Sequence, residues 1–173
     1  MFKEIDVVPS MIVYHGSTIP VEVPIIMNST RKLDFGAGFY TTSNREQAVR
    51  WCERVAKRRK TKVQIISEYE FDLDAAKKEL KIIHFEKPDD DWLDFVNANR
   101  VGNGIAEAYD IAIGAVANDL VFASIILYEQ GFLDREETIK RLKIQELYNQ
   151  VLFHTEKSLQ FCRYIKHETI GGI

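Results

Sequence analysis

Apolar residues recur along this chain with two alternating periods, one of strands and one of helices. Met11-Ile12-Val13-Tyr14-His15 is an apolar, β-branched run that stops at Gly16-Ser17, the pattern of a buried strand. Thr18 to Leu33 holds Pro20 and Pro24 with little periodicity and reads as a loop with an extended piece. Gly36-Ala37-Gly38 then punctuates the backbone before a short strand, Phe39 to Thr42. Ser43 and Glu46 are spaced as a capping box. The helix they open carries Ala48, Trp51, Cys52, Val55 and Ala56 on one face and ends near Arg59. Lys62 to Leu73 alternates as a strand, and Lys87 to Asn99 begins with Pro88 and three aspartates, which suit a helix N-terminus. Tyr109 to Ala117 reads as strand, Asp119 to Glu129 and Asp134 to Lys143 as helices, the second capped by Asp134 and Glu137. Tyr148 to His154 is again strand, followed by a short helix from Glu156 and a last strand around Cys162 to His167.

Strands and helices are intermixed without regular βαβ alternation, so an α+β domain with a mainly antiparallel sheet and flanking helices is expected. No glycine-rich dinucleotide fingerprint or phosphate loop follows a strand. With 173 residues, 46% hydrophobic and 28% charged, the chain reads as one globular domain over residues 1–173 that needs no staple. Acidic residues outnumber basic ones by 26 to 23, so any polyanion would have to find a local patch. Two cysteines make no disulfide framework, and the histidines lack zinc-ligand spacing, so no metal is expected. Met1 to Ser10 has no apolar leader core, and the longest apolar run, Val121 to Tyr128, is too short to span a membrane. A cytoplasmic location without a membrane partner is the expectation.

Candidate chemistry gathers near the N-terminus. His15 ends a strand beside Gly16 and the hydroxyl of Ser17, where an imidazole can bond a sugar hydroxyl and glycine admits a flat amide; an ordinary turn histidine fits equally. In Asp34-Phe35-Gly36-Ala37-Gly38-Phe39-Tyr40, Gly38 leaves backbone open to a ligand and Tyr40 offers a ring face and a phenol. Alternation puts Phe39 and Tyr40 on opposite faces of the sheet. Trp51 either folds back on the same cleft or joins the helix's core face. Arg31 precedes the glycine turn and is a candidate for a pyrophosphate or an acceptor. Six of the nine residues from Arg54 to Lys62 are Lys or Arg, enough to attract phosphate locally or simply to complement a helix C-terminus.

The two N-terminal motifs, in this order, resemble the H-Y-E branch of the ADP-ribosyltransferases, the diphtheria-toxin and poly(ADP-ribose)-polymerase type. YHGS, LDFGAGFYTT, SNREQAVRW, YDIAIGAVAND and NQVLFHTEKSLQF are similar, more closely, to the bacterial family DUF3990. The resemblance implies a split-sheet fold and NAD as substrate. It implies that His15 holds a ribose hydroxyl, with Gly16 on the carboxamide and Ser17 beside it. Tyr40 and Trp51 would sandwich the nicotinamide ring. It also implies a mono-ADP-ribosyltransferase, a toxin or defence effector with a protein or nucleic-acid acceptor and a cognate antitoxin.

Three departures qualify that expectation. Ala48 stands where the polymerases have a carboxamide-binding serine, the loop from His15 to Tyr40 is shorter, and Gln150 occupies the place of the catalytic glutamate. A glutamine can take a hydroxyl's hydrogen bond but brings no charge to a cationic transition state. Glu146 or Glu156 could replace it. The alternative is a module that binds NAD or ADP-ribose without catalysis.

Overall fold

The computed structural model describes residues 10–27, 33–102, 104–115, 119–143 and 149–172. Among them seven strands form one sheet: β1 (Met11–Ser17), β2 (Phe39–Thr42), β3 (Gln64–Phe71), β4 (Ile82–His84), β5 (Ile111–Ala115), β6 (Asn149–Phe153) and β7 (Cys162–Gly171). Its order is β4-β5-β6-β2-β1-β3-β7. Only β4 and β5 pair in parallel, the remaining neighbours being antiparallel. The helices among the described residues are α1 (Arg45–Arg58), α2 (Leu73–Glu79), α3 (Asp90–Val101), α4 (Asp119–Glu129), α5 (Arg135–Lys143) and α6 (Glu156–Leu159), with a 3-10 turn over Ile105–Ala108. The α+β, mainly antiparallel class read from the sequence is the observed one. No described helix is long and apolar enough to cross a membrane.

Two apolar clusters cover the two faces of the sheet. On one face Val13, Phe39, Tyr69, Phe71, Ile111, Val151 and Phe153 meet, drawing on strands from the whole width of the sheet. On the other, Ala112 and Leu152 pack under Trp92, Leu93, Phe95, Val121, Ile125 and Leu142 of α3 to α5. Helix α1 lies on this second face too, but farther along, against β1 and β3. The helical layer therefore parts above the β1–β2 junction.

Local chemistry explains most boundaries. Asn44, not Ser43, caps α1: its side chain accepts the amide of Gln47 at 3.0 Å, while the Thr42 hydroxyl accepts the Asn44 amide at 3.1 Å. The expected Ser43–Glu46 box is replaced by a cap one residue on, in which the Thr42 hydroxyl rather than the side chain of Gln47 takes the cap residue's amide. Asp89 caps α3 and Asp134 caps α5, each accepting an amide three residues on. Helix α2 and strand β4 were not expected from the pattern. α2 is a seven-residue helix capped by Asp72, and β4 spans three residues, too short for a periodic signal. β7 runs four residues past His167, its exposed end paired with β3 through Gly171. Met1 to Pro9, Val116, Ala117 and Tyr148, included in the expectations above, lie outside the described residues.

Candidate functional site

Where the helical layer parts, a small cleft opens on the sheet. Tyr14 and Gly16 of β1, Tyr40 and Thr42 of β2, Gln150 of β6, and Gln47 and Trp51 of α1 line it. Gly16 sets its depth: a Cβ there would fall 2.3 Å from the Ala48 carbonyl oxygen and 2.9 Å from the Cys52 amide nitrogen. Helix α1 consequently rests backbone-on-backbone against β1, an approach only glycine permits. The core stripe of α1 is Ala48, Cys52, Val55 and Ala56, all buried. Trp51 stands to one side of that stripe, 40% exposed, and belongs to the cleft rather than the core.

Tyr40 is fixed at both ends. Its phenol donates to the Gly36 carbonyl at 2.6 Å. Gly36 sits at φ +81°, a left-handed turn position, and its amide closes that turn on Leu33 at 3.0 Å. The turn is clamped from α3. Asn99 donates to the Asp34 carbonyl at 3.2 Å, and Arg100, buried, pairs with the Asp34 carboxylate at 3.0 Å and with Glu129 at 2.7 Å. Burial, with the Asp34 charge second, pushes the Tyr40 phenol well above its ordinary range, so it stays neutral and donates. Burial also raises the Asp34 carboxyl, against the opposing pull of Arg100.

Two histidines hold the segment between them. The His15 Nδ1 lies 2.7 Å from the Tyr40 carbonyl and that of His154 lies 2.8 Å from the Ala37 carbonyl. A carbonyl only accepts, so both rings carry the proton on Nδ1. Burial lowers both pKa values, which keeps the imidazoles neutral and leaves a lone pair on each Nε2. His15 does not line the cleft. It shares the opposite face of β1 with Val13, and its ring lies 4.7 Å from that of Phe39. Its carbonyl contact nevertheless fills a gap, since β1 and β2 share one ladder pair, Tyr14 with Thr42.

Gln150 is buried, faces Thr42 on one side and Gly114 on the other, and lines the cleft. Among the described residues its side-chain amide makes no hydrogen bond, which leaves it available to a ligand. Ser17 and Gly38 are elsewhere. The Ser17 carbonyl accepts the Cys52 thiol at 3.0 Å, and Gly38, at φ +154°, lies under the Phe153 carbonyl, 2.3 Å from where a Cβ would be. Arg31 and Glu146 lie outside the described residues, and Glu156 is an exposed first-turn residue of α6 that does not line the cleft. Burial pushes the Cys162 thiol up to about 12 and raises Cys52 too, so neither is an activated nucleophile.

A model of the family described as "Protein of unknown function (DUF3990)" matches residues 11–164. The chain belongs to DUF3990. No curated protein and no solved structure matches it. The match begins with β1 and ends inside β7, so it takes in every strand and helix that builds the cleft of this DUF3990 protein. Sequence reasoning named Gly16, Tyr40, Trp51 and Gln150, and the fold brings these four together. It missed Tyr14, Thr42 and Gln47, although alternation from Gly16 and Tyr40, and the four-residue step from Trp51, place each on the same faces. It missed the Arg100 clamp as well: Asp34 and Arg100 are 66 positions apart, and nothing local marks the pair.

Proposed function

We propose that this DUF3990 protein is an NAD-dependent mono-ADP-ribosyltransferase with the nicotinamide ring in the cleft between Tyr40 and Trp51. The observation that carries the reading is the convergence of Gly16, Tyr40, Trp51 and Gln150, from four elements, on one mainly apolar slot. The resemblance to the H-Y-E branch supports it: these are the positions of the carboxamide glycine, the two stacking rings and the third catalytic residue. The fit is tight. The slot holds about 60 Å³, well under the roughly 150 Å³ of an engineered cavity that admits benzene, so it must widen as a ring enters, and Trp51 stands at its rim.

In this reading the Gly16 backbone bonds the carboxamide and Tyr40 supplies a flat, neutral surface whose angle the Gly36 carbonyl fixes. His15, on the opposite face of β1, acts on the site only by positioning Tyr40 through its carbonyl. Gln150 accepts the 2′-hydroxyl of the nicotinamide ribose. The bond from the anomeric carbon to the pyridinium nitrogen breaks, and its electron pair leaves with nicotinamide. An acceptor nucleophile forms the new bond and loses its proton to water. Holding the reacting groups in register can contribute several kcal/mol, which is what this neutral site has to offer. A role as a toxin or defence effector, with an antitoxin to restrain it, follows from the same resemblance.

Gln150 favours a second reading, a module that binds NAD or ADP-ribose without turnover, because the group that would stabilise positive charge on the sugar has none itself. Calorimetric titration with NAD and assay of nicotinamide release separate the two. Transfer predicts saturable binding lost in Tyr40→Ala, slow nicotinamide release, and faster release in Gln150→Glu. Binding with no release from either protein leaves only the module. No binding at all ends both readings.

A further inference from the structure

The slot-facing stripe of α1 does not stop at Trp51. Steps of four, three and four residues put Gln47, Trp51, Arg54 and Arg58 on one side of the helix, so the stripe continues about 10 Å from Trp51 to Arg58. Lys60 and Lys62 follow in the turn after the helix end. Lys57, Arg58, Lys60 and Lys62 are exposed and pair with no carboxylate among the described residues. Arg45, Arg100, Arg135, Arg141 and Arg163, by contrast, each do. A helix dipole accounts for cations in the last turn, Lys57 and Arg58, but not for two more beyond it. Lys60 is also the one described non-glycine residue at positive φ, 54°, in the position after a helix where glycine is the usual occupant. A cation thus stands where the backbone favours glycine.

We propose that this ridge binds single-stranded nucleic acid and presents it to the slot as the acceptor. Spaced cations ending at a half-exposed tryptophan are the combination that recognises a phosphodiester chain with unstacked bases. The ridge outruns the two phosphates of a dinucleotide, which points to a polymer. As acceptor, the inference rests on the transferase reading above: a nucleophilic base or terminal phosphate atom would bond the anomeric carbon as nicotinamide leaves, with a proton released to water. Strand binding itself does not depend on it.

Fluorescence anisotropy with labelled oligo(U) and oligo(dT) of about twelve nucleotides tests the proposal. Four phosphates neutralised, at a single-strand slope near −0.7 each, imply about a 50-fold loss of affinity between 50 and 200 mM salt. Replacing Lys57, Arg58 and Lys62 together by Gln should reduce that salt effect to about 3-fold and weaken binding at least tenfold. NAD affinity, measured separately, should be unchanged in that variant, and Tyr40→Ala should keep its strand affinity. Lys60→Gly, which removes a charge while relieving the backbone, should fold at least as stably and still bind the strand less well. The proposal is overturned if the wild type binds neither probe at 50 mM salt, if the triple variant binds like the wild type, or if poly-glutamate displaces the strand as well as unlabelled oligonucleotide does. Loss of NAD binding with strand binding intact would instead remove the transferase reading alone.

Discussion

Between β1 and β3 seven residues of one strand face seven of the other, from Met11–Phe71 to Ser17–Ile65, whereas β1 and β2 share a single pair. The first junction is held by its backbone, and the second by side chains. His15 bonds the Tyr40 carbonyl, and Val13 and Phe39 meet in the apolar cluster beneath. A polar backbone group that loses its ladder partner must find another, and here the substitute is an imidazole. A ligand site needs a gap, and the candidate cleft lies over this weakly laddered junction, where the helical layer parts.

The largest effect expected of breaking that junction comes from Arg100, which anchors the turn leading into β2. Arg100→Met strands the Asp34 and Glu129 carboxylates with no cation and should lower stability by about 3–5 kcal/mol in a denaturant titration. A loss under about 1 kcal/mol would mean the clamp is dispensable. Next is Gly16→Ala, whose new methyl meets the α1 backbone; about 1–3 kcal/mol should go, with NAD affinity falling too if the slot narrows. His15→Ala should cost a similar amount by orphaning the Tyr40 carbonyl. It should also speed amide exchange at Thr41 and Thr42 while leaving Ile66 to Tyr69 protected. Equal acceleration in both places would show that His15 supports the fold at large rather than this junction. Tyr40→Phe removes one hydrogen bond to Gly36, worth about 1 kcal/mol, and should weaken ring binding less than Tyr40→Ala.

Acid gives the gentlest probe. His15 and His154 have folded-state pKa values below the ordinary 6.5, so the unfolded chain takes up protons first as pH falls. Their contribution is complete above pH 6.5 and is lost as pH drops toward the folded values. Thermal unfolding midpoints should therefore decline from pH 7 to pH 5, and the decline should flatten when both histidines are replaced by Gln. A midpoint that rises on acidification would contradict the neutral assignment of the two rings.

Much of this was legible in the chain because it depends on short-range pattern. Alternation put Phe39 and Tyr40 on opposite faces, and they do divide, Phe39 to the core and Tyr40 to the cleft. Spacing marked Trp51 as near the helix's apolar face but could not say on which side of its edge it falls. That is decided by how closely Gly16 lets α1 descend. His15 was read for its chemistry, yet the parity of β1 sends its ring to the face opposite Gly16. The same alternation carried that information, and the attraction of a strand-end imidazole outweighed it. The Asn99–Arg100 clamp and the His154 contact join residues 65 or more positions apart, so no local rule reaches them.

The lopsided cover of the β1–β2 line has a mechanical meaning. Cemented beneath by aromatic packing and joined above by one rung, the two half-sheets resemble the boards of a book bound along one edge. Folding them apart by a few degrees disturbs a single rung, while the same flexure one strand over would strain seven. A guest too wide for the resting gap can thus be admitted by turning the boards on their binding, with every other rung intact.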